Sequence, residues 1–333
     1  MDSNYFMGLD GFVWFTGVVE DRNDPSQLGR VKVRCLGFHT DNKDDIPTKD
    51  LPWAHVMHPV TDPSMQGMGS SPSFLLEGSW VVGFFRDSRE KQQPVIMGTL
   101  PGYPQEVADT TKGFNDPNGT YPSSEITHSE HSTNESDVNR LARNETDKAH
   151  SVIATKNDSI TENVAIANVD TTWTEPSSAY AATYPKNHVF ESESGHIKEI
   201  DDTTDNERIH EYHTAGTFYE IDKDGNKSTR VVGSNYEVVA GSNYVNVKGD
   251  VNLTIDTNCN TYIKGDWNIQ VDGSKTEVVT GAVSETYKDT KTETVTGAVS
   301  ETYSANQTTN ITGTLDLDAS TEVDIDAGVI NLN

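Results

Sequence analysis

The sequence predicts an all-β chain in three main parts: a small N-terminal barrel, an extended linker, and a C-terminal β-helix of octapeptide repeats. Three observations predict it. Five apolar-rich runs, at 12–19, 30–37, 52–59, 79–85 and 94–99, alternate with turn signals over the first hundred residues. Segment 101–185 is dominated by Ser, Thr, Asn and Asp and keeps no long period. Residues 233–327 then repeat every eight positions.

In the barrel region the separating turns are Asp24-Pro25, Asp44-Asp45-Ile46-Pro47, Asp62-Pro63 and Ser71-Pro72. Five strands in so short a span point to an oligonucleotide/oligosaccharide-binding (OB) barrel. Trp14, Phe15, Trp53, Phe84 and Phe85 lie in the strand runs and are expected in the core. Arg22, Arg30, Lys32 and Arg34 are balanced by nearby acids, and the whole chain carries a net charge of −27. Nucleic acid and anionic membrane are therefore not expected partners. Apolar residues make up 33% of the chain, below the usual level of about 45–50%, so thin or elongated modules fit better than one large core.

Cys35 and Cys259 fall in different segments, which argues against a disulfide framework. The N-terminus has no basic n-region followed by an apolar h-region, and no stretch reaches transmembrane length. Folding in a reducing cytosol is expected.

In the repeat, Gly233, Gly241, Gly249, Gly265, Gly273, Gly281, Gly297 and Gly313 occupy eight of the twelve positions in one register; Thr257, Asp289, Ala305 and Thr321 fill the rest. Six residues after each comes an apolar or aromatic side chain: Val239, Val247, Ile255, Ile263, Val271, Val279, Tyr287, Val295, Tyr303, Ile311, Ala319 and Ala327. Eight is a multiple of two, so a strand keeps one parity on one face from unit to unit. The +2, +4 and +6 parity is rich in Val, Ile, Leu and Trp. The other is mostly Ser, Thr, Asn, Asp and Lys, with Tyr236, Val238, Tyr244 and Tyr262 as exceptions. A helix reads poorly here, since each interior Gly would cost about 0.8–1 kcal/mol and Thr, Val and Asn dominate the rest. In a strand, recurring Gly marks a kink or a close backbone approach. Two packings satisfy the pattern: one chain coiling three octads per turn, or three chains winding round one axis and closing every strand edge on a neighbour.

Val239-Ala240-Gly241, Val247-Lys248-Gly249, Ile263-Lys264-Gly265, Val271-Asp272-Gly273 and Val279-Thr280-Gly281 resemble the needle repeat of the central spike proteins of contractile-tailed phage baseplates, Val-x-Gly followed by five variable residues. The resemblance implies an intertwined trimeric β-helix, and so a homotrimer. The N-terminal segment resembles the OB domain of the same family through Phe15-Thr16-Gly17-Val18-Val19-Glu20-Asp21-Arg22, Leu28-Gly29-Arg30-Val31-Lys32-Val33-Arg34, Leu51-Pro52-Trp53-Ala54 and Gly78-Ser79-Trp80-Val81-Val82-Gly83. Type VI secretion spikes share this plan. It implies docking of the barrel on a ring-forming hub protein, and a PAAR-repeat tip protein on the C-terminal end. That end carries Asp316, Asp318, Glu322, Asp324 and Asp326, with no Lys or Arg after Gly313.

The expected domains are 1–104 (OB barrel, hub docking), 105–185 (extended connector), 186–230 (β-rich collar) and 231–333 (trimeric β-helix needle). Within the connector, Asp137–Arg143 has the pattern of a short helix. Some spikes of the family carry a lysozyme domain between barrel and needle. A lysozyme needs two acids in a cleft, one raised by apolar walls. Segment 101–185 has Glu125, Glu130, Glu135 and Glu145 but almost no apolar material around them. No catalytic residue is therefore expected, the alternative being a peptidoglycan hydrolase hidden in 101–185, or a type VI secretion-like spike.

The collar shows alternating runs at 188–192, 196–201, 208–213 and 217–222. Of three His-x-x-His pairs, His55/His58 and His210/His213 lie in predicted strands, where i and i+3 point apart, and His128/His131 lies in a polar loop. No metal and no cofactor are expected. Glu277, Glu285, Glu293 and Glu301 share the +4 position, with Lys275 and Lys291 on the same parity as partners. The resulting expectation is a structural, envelope-puncturing spike of a virion tail baseplate.

Overall fold

The computed structural model describes residues 12–70, 74–122, 133–145 and 160–330, and it divides the chain into two compact units, Met1–Cys259 and Asn260–Asn333. The described residues are all-β, with helix limited to single 3-10 turns such as Thr48–Asp50 and Leu141–Arg143. The latter is what the Asp137–Arg143 helix pattern becomes. No described helix is long and apolar enough to cross a membrane.

Five strands close the barrel: β1 (Val13–Asp21), β2 (Val31–Cys35), β3 (Trp53–Val56), β4 (Trp80–Phe85) and β5 (Pro94–Thr99). Their order round the barrel is β1-β2-β3-β5-β4, with β3 and β5 parallel and the other pairs antiparallel. Alternation decides what goes inside. Phe15, Val19, Val33, Val81, Phe85 and Ile96 form the core with Cys35 and Ala54. Truncating one of the larger of these to Ala costs about 2–5 kcal/mol. Gly17 is needed where β1 crosses β2, because a Cβ there would lie 2.5 Å from the Arg34 carbonyl oxygen.

Of the five aromatics expected in the core, only Phe15 and Phe85 are buried there. Trp14 and Phe84 sit on the opposite parity of β1 and β4, in register with each other on the outer face. Trp53 is half-buried beneath the cations of Arg30 and Lys32.

On the outer side of β1 and β2, beneath loop 40–48 and the linker, lies a buried ion pair. Arg34 and Glu20 are fully buried, with Arg34 Nε 2.6 Å from Glu20 Oε1. Arg34 further donates to the carbonyls of Thr40 and Ile46, while Glu20 accepts from the Thr48 hydroxyl and the Phe114 N–H. That last bond draws the linker onto the barrel. Gly113 must be glycine here, since a Cβ would overlap the Arg34 guanidinium. Asp116, 1% exposed, accepts from the N–H groups of Asn118, Thr120 and Tyr121 and so folds its own loop.

A two-stranded hairpin, β6 (Val164–Ala165) with β7 (Thr172–Trp173), precedes a five-stranded antiparallel sheet: β8 (Asn187–Glu191), β9 (Ile197–Asp201), β10 (Arg208–Tyr212), β11 (Phe218–Ile221) and β12 (Lys227–Arg230), in spatial order β12-β11-β10-β9-β8. Four of these strands coincide with the alternating runs; β12, Lys-Ser-Thr-Arg, has no apolar residue and was not expected. Leu141, Ile197, Tyr212 and Phe218 form a small core between the linker and one face of the sheet.

Candidate functional site

The octads present the longest regular feature of the chain. The backbone bends at each register position from Gly233 to Thr321, and the bends include Thr257, Asp289, Ala305 and Thr321, where no glycine stands. Between bends the chain is extended, and among the described residues of 231–330 none is hydrogen-bonded into a strand ladder. Every described residue of the array is exposed.

Exposure still follows the repeat. The +6 side chains from Val239 to Ile311 are 43–57% exposed, whereas the off-parity Tyr236, Val238, Tyr244 and Tyr262 are 84–92% exposed. The bend thus half-shelters the +6 column. A Cβ added at any octad glycine from Gly233 to Gly313 would meet no atom of the chain within 4 Å, and none of these glycines has a positive φ. The glycine requirement is therefore not imposed by the chain's own packing.

The +4 carboxylates have partners in alternating kinds. Glu277 and Glu293 pair with Lys275 at 2.7 Å and Lys291 at 3.5 Å. Glu285 and Glu301 accept from the hydroxyls of Tyr287 and Tyr303 at 3.1 and 3.0 Å. The Glu301 bond holds the Tyr303 phenol above its usual range, and the Lys275 bond holds Glu277 below its own. Cys259, at a +2 position, is exposed in the single chain.

The collar sheet mounts this array through a buried ionic cluster that sequence reasoning missed. Glu199, Arg208, His210 and Glu220 are all at most 5% exposed. Arg208 reaches Glu199 at 2.7 Å and Glu220 at 2.9 Å; His210 Nδ1 lies 2.6 Å from Glu199, and Asn187 donates to Glu199 at 2.8 Å. Burial alone would push the Glu199 carboxyl up. The His210 hydrogen bond and the Arg208 charge outweigh it and hold the carboxyl at about 2. Glu220 also accepts from the Ala179 N–H and the Ser178 hydroxyl, and Glu175 pairs with Arg230 at 2.5 Å, so these acids tie the linker to the sheet. Cross-strand neighbours of opposite charge in Ile-Lys-Glu-Ile-Asp and Arg-Ile-His-Glu-Tyr were the available signal.

Sequence-derived chemistry candidates fare as follows. His210 is buried against Glu199, while His213 is exposed and stacks on His196 with centroids 4.5 Å apart, so the two do not converge. His58 is held by Asp62 at 3.1 Å, and His128/His131 lie outside the described residues. No group of three His, Cys, Asp or Glu side chains fit to hold a metal occurs among the described residues. In the linker, Glu135 is buried but clamped by Arg140 at 2.6 Å and Arg143 at 2.9 Å, the opposite of the apolar setting that raises a general acid. Glu145 is half-exposed, 3.7 Å from Arg143; Glu125 and Glu130 lie outside the described residues.

The barrel shows two outward apolar surfaces. Phe12, Trp14 and Phe84 cluster with ring centroids 5.3–5.9 Å apart, Phe84 edge-to-face with the other two. Loop 57–70 is organised by Asp62, which accepts from the N–H groups of Ser64 and Ser70 and holds His58, while Met57, Val60, Met65 and Met68 point outward. Flexible, polarizable Met side chains suit a surface that adapts to a partner.

Comparison with known proteins places these features in one group. The family model described as the Gp5 N-terminal OB domain matches residues 37–190, spanning β3 to β5 and the linker folded back on the barrel. Protein Gp5 of Vibrio phage KVP40 is 42% identical over 286 residues, which is 77% of this chain and 66% of that protein. The pre-baseplate central spike protein Gp5 of Enterobacteria phage T4 is 43% identical over 114 residues, 33% of this chain and 20% of the relative. The chain thus spans just under two thirds of the first relative and a fifth of the second. In its closed five-stranded OB barrel and over these stretches of sequence, the chain is similar to the Gp5 central spike proteins of these phages.

Proposed function

We propose that this chain is the central spike of a contractile-tail baseplate in the virion, a structural protein that three copies assemble into one envelope-puncturing needle. The barrel (1–104) docks on a baseplate hub protein, the connector (105–185) and collar (186–230) carry the load, and octads 231–333 wind round a common axis. Gly233 to Gly313 admit the neighbouring backbones, and the column from Val239 to Ile311 fills the axis. A separate PAAR-repeat tip protein covers the acidic C-terminal end. The force is that of sheath contraction, and no catalytic step belongs to the chain.

The observation that carries this reading is the octad array itself. It bends in strict register, has no strand ladder among its described residues, and keeps its apolar column half-exposed. Extended chain of this kind and such a column are stable only when covered, and the glycines lack any reason within one chain. Light scattering of the purified protein is expected to give three times the 36.6 kDa chain mass. A monomer stable on dilution would overturn the trimer, and clearing of a peptidoglycan zymogram would overturn the purely mechanical role.

A further inference from the structure

Loop 57–70, between β3 and β4, is built around one carboxylate. Asp62 accepts from the Ser64 N–H at 2.8 Å and from the Ser70 N–H at 2.7 Å, so it ties both ends of the segment that carries Met65 and Met68. Gly69 has a φ of +111°, and a Cβ there would overlap the same carboxylate. Between these anchors Met65 and Met68 face each other across a two-residue turn. The Met68 N–H donates to the Met65 carbonyl at 2.9 Å, and the Met65 N–H to that of Met68 at 3.4 Å. Gln66 and Gly67 both have positive φ, 52° and 79°, as a type I′ turn requires. Residues paired in this way project from one face with Cβ atoms about 4.5–5.5 Å apart. The two thioethers therefore start side by side, and both side chains are more than half exposed.

Asp62 also fixes an imidazole. His58 Nδ1 lies 3.1 Å from Asp62 Oδ2. Bonds from Ser70, His58 and Ser64 hold the Asp62 carboxyl well below its usual range, so it stays ionised. An ionised carboxylate only accepts. Nδ1 of the neutral ring therefore carries the proton, and Nε2 presents its lone pair. β3 ends at Val56, so His58 stands past the strand and escapes the alternation that would point it away from His55. His58, Met65 and Met68 line one recess. A carboxylate behind an imidazole with its far nitrogen open is the arrangement that supports metal-binding histidines.

We propose that His58 Nε2 and the sulfurs of Met65 and Met68 form a site for a soft monovalent cation, Cu(I). The donor set selects the ion. Two thioethers and a neutral imidazole are soft, uncharged ligands, whereas Mg²⁺, Ca²⁺ and Mn²⁺ take oxygen. Structural Zn²⁺ sites are built on thiolate and imidazole, and no cysteine lines this recess. The single charge of Asp62, behind the ring, balances the single charge of the ion. Binding ties the start of the loop to its tip, with no change of oxidation state. The site lies within one barrel and does not depend on the trimeric reading.

The test is anaerobic titration of the full-length Cys259→Ser chain with Cu(I), in competition with the chromophoric chelator bathocuproine disulfonate, with the methionine methyl groups labelled with ¹³C. Cys35 stays, since burial pushes its thiol up to about 12 and keeps it unreactive. One Cu(I) per chain is expected. Of the six methionine signals, those of Met65 and Met68 should shift and the others stay. Met65→Leu and Met68→Leu assign these signals and nearly conserve volume, so the loop keeps its fold. Each should weaken binding by about tenfold or more, as should His58→Asn, which keeps a donor to Asp62 but loses the ring nitrogen. Failure of the chain to hold Cu(I) against the chelator would overturn the proposal. So would undiminished binding in the Met65→Leu/Met68→Leu double variant, or shifts spread equally over Met57 and Met97. Displacement of Cu(I) by equimolar Zn(II) would overturn the soft-donor assignment.

Discussion

Replacing Arg208 by Met removes the guanidinium that holds Glu199 and Glu220 at 2.7 and 2.9 Å, while keeping most of the side-chain length. All three groups are buried, so the change strands two carboxylates away from water. Breaking a buried ion pair costs about 3–5 kcal/mol. The lower end applies, because Glu199 keeps His210 and Asn187 and Glu220 keeps the Ala179 N–H. The pH dependence should also change sign. In the parent, Glu199 sits at about 2 against an ordinary 4.5. Its contribution is complete above the unfolded value and is lost as pH falls from about 4.5 toward 2, amounting to roughly 3 kcal/mol. In the variant, burial without Arg208 raises the folded carboxyls above their unfolded values. Their penalty is then largest at neutral pH and shrinks on acidification. Native-state hydrogen exchange at β9–β11 amides, corrected for the intrinsic pH dependence of exchange, reads the local opening free energy. A loss below about 1 kcal/mol, or an acid profile parallel to the parent's, would refute this account of the collar.

Gly113→Ala places a Cβ into the Arg34 guanidinium and should lift the linker from the barrel, at a cost of about 1–3 kcal/mol; a thermal melt of the barrel checks it. Val247→Asp sets a carboxylate on the proposed axis three times over, and the trimer mass in light scattering is expected to fall to that of the single chain. Gly265→Val has open space within its own chain, so an unchanged melting temperature of the trimer would show that no neighbour requires the glycine. Arg22→Ala removes ion pairs to Glu77 and Glu193 at 3.3 and 2.9 Å from a side chain 38% exposed. It should cost about 1 kcal/mol or less and leave assembly intact by light scattering.

The barrel was legible because its strands alternate and are bounded by Asp-Pro and Ser-Pro turns; the observed β1 to β5 fall within two residues of the apolar runs. What alternation does not fix is which parity goes inside. That is why Trp14 and Phe84, next to the core residues Phe15 and Phe85, were expected inside and stand outside. In the collar the same ambiguity is sharper. The inward parity carries the charges, and their compensation comes from strands nine to twelve residues apart in sequence, Glu199 with Arg208 and Arg208 with Glu220. β12 was invisible because Lys-Ser-Thr-Arg is a strand only through its register with β11. The linker's polar composition hid two uses of acids, Asp116 folding a loop and Glu135 clamped by two arginines. The octad bends at Thr257, Asp289, Ala305 and Thr321 were legible from register alone, since nothing in those residues asks for a bend.

These energetics differ along the chain in a way that bears on force transmission. Barrel and collar each bury a core and an ionic cluster, so each is closed by its own contacts. Among the described residues, direct contacts between them include the exposed Arg22–Glu193 pair and the edge-on contact of Phe74 with Phe190, centroids 4.6 Å apart. The exposed ion pair itself contributes about 1 kcal/mol at most. The octads have no strand ladder among the described residues to resist bending. A spike must carry axial load without buckling. In the trimer proposed above, that stiffness comes from neighbouring copies wound with the octads.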